Sequence, residues 1–205
     1  MPVMLLASLF GCAPSDASTA KPDQTTTPES SAPAESLAPQ FVVSTVSAEP
    51  IVRVAIRGGL LAGPTTTYTV YGDGRLELAE SHDKPRPKTA PPLPPAQTVS
   101  LDADELHAVA ALAAAPALIE GDATRVATEL HDAGAGIRDG SLYTVDIRLM
   151  SYARGKLSLA PVERRFVMIE PTIAAEEHRG GEATQALGAL INGLARLCSA
   201  KERNQ

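Results

Sequence analysis

Apolar and polar residues alternate over Ile51-Val52-Arg53-Val54-Ala55-Ile56-Arg57, with Val52, Val54 and Ile56 on one side and both arginines on the other. A period of two predicts a half-buried strand, ended by Gly58-Gly59. Thr65 to Tyr71 is rich in Thr, Tyr and Val, residues that suit a pleated surface. Asp73-Gly74 signals a turn, and Arg75-Leu76-Glu77-Leu78 alternates again, so the two segments predict a β-hairpin. Three later segments also read as strands. Arg125 to His131 alternates Val126, Thr128 and Leu130, and Tyr143 to Leu149 alternates throughout. Arg164 to Ile169 is a more continuous apolar run that suits a central strand, and Gly155 offers a turn before it.

Helical spacing marks two segments. Asp102 and Glu105 stand at capping-box spacing, with Leu101 and Leu106 as the matching staple. Asp104 adds negative charge at the positive end of the helix dipole. Leu106, Val109, Ala110 and Ala113 share a face until Pro116 bars continuation. From Glu182 onward, Leu187, Leu190, Ile191, Leu194 and Cys198 form a second stripe. Gly188 and Gly193 each cost this helix about 1 kcal/mol relative to Ala, so packing must hold it. Between hairpin and first helix, Pro85, Pro87, Pro91, Pro92, Pro94 and Pro95 impose extended backbone, which reads as a stiff connector. The expected architecture is a single α+β domain over 49–200, an antiparallel sheet with two packed helices.

The first 48 residues have a different character. Leu9-Phe10-Gly11-Cys12 closes a short apolar run and resembles the lipobox of a bacterial lipoprotein. The resemblance implies that residues 1–11 are a signal peptide and that Cys12 is lipidated and becomes the new N-terminus. The stub lacks the positive n-region of a signal peptide, which a start codon upstream of Met1 would supply. Residues 12–48 are rich in Ser, Thr, Pro and Ala, cannot bury enough apolar surface to order themselves, and read as a disordered linker. A tether of about 35 residues reaches roughly 30 Å as a flexible coil. Two or more acyl chains on Cys12 would hold such a protein stably on a membrane. The expected location is the bacterial cell envelope, on a periplasmic or surface-exposed membrane face.

Composition removes several classes of function. A net charge of −6 argues against nucleic acid, which demands a basic patch. With Cys12 lipidated, Cys198 has no intrachain partner, so no disulfide framework is expected. Aromatics are only 3 % and Trp is absent, so the core must be aliphatic.

No catalytic constellation survives inspection. Ser18-Thr19-Ala20-Lys21 spells S-x-x-K but lies in the linker, where no backbone can hold an oxyanion hole. Tyr152 and Lys156 have Y-x-x-x-K spacing, yet fall at a turn between strands and not on one helix face. Gly134-Ala135-Gly136 with Gly140 misses the dinucleotide-loop spacing. His82, His107, His131 and His178 form no metal-binding pair, His107 reads as a boundary residue, and Glu176-Glu177-His178 reads as a solvated loop. Cys198 reads as a small buried hydrophobe. Neither enzyme activity, metal nor cofactor is expected.

Ile56-Arg57-Gly58-Gly59-Leu60-Leu61-Ala62-Gly63 followed by Thr67-Tyr68-Thr69-Val70-Tyr71 resembles the start of the emfourin family, small inhibitors of thermolysin-like metallopeptidases such as protealysin. The order of hairpin, helix and later strand pair is also similar, over roughly Ile51 to Cys198. The chain departs from the family pattern at Leu60-Leu61, where one aromatic is usual, and in its anchor and Pro-rich loop. The resemblance implies that Gly58, Gly59, Leu60, Leu61, Ala62 and Gly63 form part of a binding loop. The leading expectation is a non-catalytic, membrane-anchored lipoprotein that binds an envelope protein of unknown identity. The alternative is an emfourin-like peptidase inhibitor.

Overall fold

A computed structural model describes residues 38–46, 48–58, 64–82 and 92–203, all within the unit Glu35–Gln205. Cys12, the linker to residue 37 and Gly59–Gly63 lie outside these residues, as do Pro85, Pro87 and Pro91. The elements in order are β1 (Gln40–Val42), β2 (Pro50–Arg57), β3 (Thr65–Tyr71), β4 (Arg75–Ser81), β5 (Gln97–Ser100), α1 (Ala103–Ala113), α2 (Pro116–Ile119) and α3 (Ala123–Gly134). There follow β6 (Leu142–Leu149), β7 (Ser151–Arg154), β8 (Leu157–Leu159), β9 (Val162–Ile169), α4 (Pro171–Glu176) and α5 (Glu182–Glu202). The fold is α+β. Its main sheet is antiparallel with order β5-β4-β3-β2-β6-β9, and a smaller sheet has order β1-β7-β8.

Where local signals were strong, the expected elements form. The β3–β4 hairpin pairs Thr65 with Ser81 through Val70 with Leu76, and Gly74 closes the turn at φ 86°. Asp102 accepts from the Glu105 backbone N–H at 2.9 Å while the Glu105 carboxylate accepts from the Asp102 N–H at 2.9 Å, so α1 opens on the expected capping box. Pro116 ends α1 and occupies the first turn of α2, a position where its missing N–H costs nothing. α5 carries the expected stripe, with Leu187, Leu190 and Leu194 fully buried and Cys198 8 % exposed. Three further helices, α2, α3 and α4, join the two expected ones.

Three expectations are corrected. Gln40–Val42, inside the segment 12–48 expected to be a disordered linker, is strand β1, held by its pairing with β7 and by Phe41 stacked on His107. Arg125 to His131 is helical, inside α3, and not a strand. Val126, Leu130 and Ala133 are buried at helical spacing, whereas Thr128 is exposed and donates to the Thr124 carbonyl at 3.0 Å. A strand would have buried Thr128 with its neighbours. Over seven residues, apolar positions four apart satisfy both periods, and the Asp122 side chain capping the Arg125 N–H decides for helix. The Arg164–Ile169 run lies in β9, which is an edge strand of the main sheet and not a central one. Its Val162, Phe166 and Met168 are buried on the helix-covered side, while Val167 and Ile169 alternate with them on the other face, and α3 packs beside the strand. A Cβ on Gly134 would stand 3.1 Å from the Ile169 carbonyl oxygen. Gly155, φ 57°, turns the chain as expected, but within the small hairpin β7–β8.

One face of the main sheet holds the core. Val52 and Val54 of β2, Val70 of β3, Leu76 of β4, Val145 and Ile147 of β6, and Phe166 and Met168 of β9 are all buried with the stripes of α1, α3 and α5. The core is aliphatic apart from Phe166 and Tyr152, and Tyr152 is the largest fully buried side chain.

α5 starts at Gly181, which offers no capping side chain. Glu129 of α3 supplies the cap from outside. Its Oε1 accepts from the N–H of Gly181 at 3.0 Å, the N–H of Thr184 at 3.1 Å and the Thr184 hydroxyl at 3.2 Å. Thr184 is fully buried, so removing this acceptor strands its hydroxyl as well as two helix-end donors. Glu129→Ala should cost about 2 kcal/mol in urea denaturation. An unchanged midpoint would show that water replaces the carboxylate.

Candidate binding surface

Among the described residues, the helices leave the opposite face of the main sheet open except at Ile169, which Gly134 of α3 approaches, and strand register determines what stands on it. Counting every second residue outward from the core positions gives Glu77 and Ala79 on β4, Thr65, Thr67 and Thr69 on β3, and Arg53, Ala55 and Arg57 on β2. β6 adds Leu142, Thr144, Asp146 and Arg148, and β9 adds Glu163, Arg165, Val167 and Ile169. Thr67, Ala55, Thr144 and Val167 lie side by side in one row, so the middle of the face is small and nearly flat. Val167 is 50 % exposed and Ile169 37 %, which puts two apolar side chains in water at the β9 end.

Charge concentrates at the Pro50 end of this face. Arg53 pairs across to Asp146, which pairs across to Arg165, and Arg148 pairs with Glu163 one row further. These residues line a groove of about 530 Å³ together with Pro50, Ile147 and Arg164. The ion pairs within it are loose. Arg148 Nε lies 3.6 Å from Glu163 and Arg165 Nε lies 3.7 Å from Asp146, both beyond hydrogen-bonding distance. Arg164 differs, because its Nη2 donates to the Ile119 carbonyl at 2.7 Å and so serves the C-terminal end of α2.

A second polar cluster belongs to the fold. The Tyr152 hydroxyl donates to Glu120 Oε1 at 2.5 Å, and Arg154 Nη1 lies 3.1 Å from Glu120 Oε2. Burial pushes the Tyr152 phenol well above the ordinary tyrosine range, and its hydrogen bond to the Glu120 carboxylate pushes the same way. A phenol held protonated in this manner is a fixed donor and not an acid–base catalyst at neutral pH. Lys156 sits in the turn after β7, so the Y-x-x-x-K spacing brings nothing together. Glu120, Arg154 and Glu129 border a groove of about 470 Å³ between α2, α3 and β7, with their charges already used in holding these elements.

The histidines are scattered. His107 is exposed on α1 and stacks on Phe41 with ring centroids 5.3 Å apart, His131 lies on α3, and His178 follows α4 at φ 54°. Glu177 pairs with Arg179 at 2.6 Å. Among the described residues no group of three or more His, Cys, Asp or Glu is placed to hold a metal ion, and no helix is long and apolar enough to cross a membrane. Of the expected binding loop, only Gly58 is described, at the end of β2. The rest, like the lipidation residue Cys12, lies outside the described residues.

Sequence reasoning singled out none of Arg53, Asp146, Arg148, Glu163 and Arg165 as site residues. Each was visible as the polar member of an alternating strand, but the strands are joined across about 90 residues, and only their register makes the charges neighbours. The chain matches no family model, and no curated protein matches it.

Proposed function

We propose that this protein is a membrane-anchored envelope lipoprotein whose folded domain binds another protein without catalysing a reaction. The observation that carries the reading is the face of the six-stranded sheet that the described helices leave open, small and threonine-rich along Thr67, Ala55 and Thr144, with Val167 and Ile169 exposed beside it. A small-residue face edged by apolar side chains is a surface against which a second protein can pack with little side-chain entropy to lose. The lipobox-like Leu9-Phe10-Gly11-Cys12 supports the membrane attachment, and the residues between Cys12 and β1 at Gln40 would act as the tether.

Two measurements test this. In a bacterial host, Cys12→Ser should abolish fatty-acid labelling and release the protein from the membrane fraction. Equal labelling of both forms would remove the anchor from the proposal. A photo-crosslinking residue at Thr67 or Thr144 should trap one discrete envelope protein, while the same residue at His131 on α3 should not. Identical patterns from both faces would end the docking proposal.

A second reading, an emfourin-like peptidase inhibitor, is supported by the pairing of β2 with β3 from Arg57 with Thr65, the strands that precede and follow the expected binding loop. Inhibition of thermolysin by the wild type, lost in Leu60→Asp without loss of stability, would identify the partner as a peptidase. Full thermolysin activity at excess protein would eliminate this reading.

A further inference from the structure

The geometry points to a phosphate-ester site in the groove on β2, β6 and β9, with Arg53, Arg148 and Arg165 holding the phosphoryl oxygens and Asp146 receiving a neighbouring ammonium or hydroxyl donor of the same ligand. The donors of these arginines are uncommitted. A guanidinium offers five N–H groups in a planar fork suited to oxyanions. Among the described residues, none of these three arginines makes a hydrogen bond, and the nearest carboxylates to Arg148 and Arg165 stay at 3.6 and 3.7 Å. The acids therefore orient the guanidinium groups without using up their donors. Arg53 makes no ion pair at all among the described residues.

Placement narrows the ligand. Arg53 and Arg165 flank Asp146 in one row, two strand spacings or about 10 Å apart at the backbone. Arg148 is two residues along β6 on the same side. Long side chains from three sides can converge over the groove floor, and a phosphate monoester has three terminal oxygens to receive them, where a carboxylate has two. On this face of the sheet Arg53, Arg148 and Arg165 outnumber Asp146 and Glu163 by one charge, while Arg164 is turned to the Ile119 carbonyl, so a bare dianion would exceed the local positive charge and be repelled by Asp146. A phosphate ester that carries an ammonium, or a hydroxyl donor, beside the phosphoryl group answers both features. The groove volume of about 530 Å³ exceeds what a lone phosphate fills, so it suits an esterified ligand. Phosphoethanolamine is the simplest compound of this class. It occurs free as a monoester with three terminal oxygens, and in a lipid headgroup as a diester with two terminal oxygens and a single negative charge, which the one-charge excess of the arginines matches.

The test titrates the full chain with O-phosphoethanolamine and with inorganic phosphate at low salt, using calorimetry. The expected result is saturable, single-site binding of phosphoethanolamine, weakened about tenfold by Arg53→Ala and by Arg165→Ala. Arg165→Lys keeps the charge but loses the fork and should weaken binding nearly as much. Asp146→Ala should weaken phosphoethanolamine and strengthen inorganic phosphate, reversing their order. The substituted side chains are outside the core, and a melting curve for each variant verifies that it is folded. Failure of phosphoethanolamine to saturate, or equal binding by the arginine variants, overturns the site. An unchanged preference in Asp146→Ala overturns the donor assignment. Flotation of the Cys12→Ser chain with phosphatidylethanolamine vesicles but not phosphatidylcholine vesicles, abolished by Arg165→Ala, would assign the headgroup as the source. Binding of the free compound without flotation would assign a soluble ester. Neither outcome depends on protein docking in the middle of the sheet.

Discussion

Tyr152→Ala should lower the unfolding free energy by about 4 kcal/mol, and Tyr152→Phe by about 2 kcal/mol. The first change empties the largest fully buried side-chain position, at the point where the small sheet meets the helices, and leaves a cavity. The second keeps the ring and removes only the donor to Glu120, leaving that carboxylate to Arg154. Urea midpoints at constant slope would measure both, and equal losses for the two variants would show that the ring contributes little and the hydroxyl dominates. A pH dependence accompanies them. The phenol is raised above its ordinary value of 10.0 by burial first and by Glu120 second, so the folded state holds the proton where the unfolded chain releases it. The associated stability is complete below pH 10 and is lost as pH climbs above it. Tyr71 and Tyr143 are raised as well, so the wild type should weaken in alkali for three reasons and Tyr152→Phe for two. If alkaline sensitivity is the same in both proteins, Glu120 is not setting the Tyr152 proton.

Gly188→Val should destabilise the domain by about 3 kcal/mol, through overpacking of the α4–α5 crossing. A Cβ at this position would stand 2.5 Å from the Ala175 Cβ and 3.1 Å from the Pro171 carbonyl oxygen. Backbone cannot retreat as a flexible side chain does, so the two helices must separate. Gly188→Ala isolates the effect. Helix propensity favours Ala by about 1 kcal/mol, yet the contact should leave a net loss. Adding Ala175→Gly should recover part of that loss, which a double-mutant cycle would read as coupling between the two positions. Gly193 is the contrast, because a Cβ there meets only the Leu112 side-chain end at 2.9 Å, which can turn away. Gly188→Val with a wild-type midpoint would show that α4 is loosely held.

The two glycines illustrate how far the sequence reading reached. Helix propensity says that both weaken α5 and that packing must compensate. It could not distinguish Gly188, which the α4 backbone requires, from Gly193, which faces a movable leucine, because α4 itself was not expected. The same limit applies to Arg125–His131. Its alternation was real, but the burial of Val126, Leu130 and Ala133 against β9 and α5 selected the helical period.

Capping, turn and periodicity signals are local, acting over three to seven residues, and the chain carries them openly. Asp102 with Glu105 determined the start of α1, Asp73-Gly74 the β3–β4 turn, and the leucine stripe of α5 its buried face. Those features, with the aliphatic composition, were enough to specify an α+β domain with an antiparallel sheet. The order β5-β4-β3-β2-β6-β9 was decided only in three dimensions, because pairing β2 with β6 closes a loop of about 85 residues whose cost no local pattern encodes. That pairing alone set Arg53 beside Asp146 and Arg165. A charge on an alternating strand says which face it takes, and only the neighbouring strands decide whether it stands alone or in a groove.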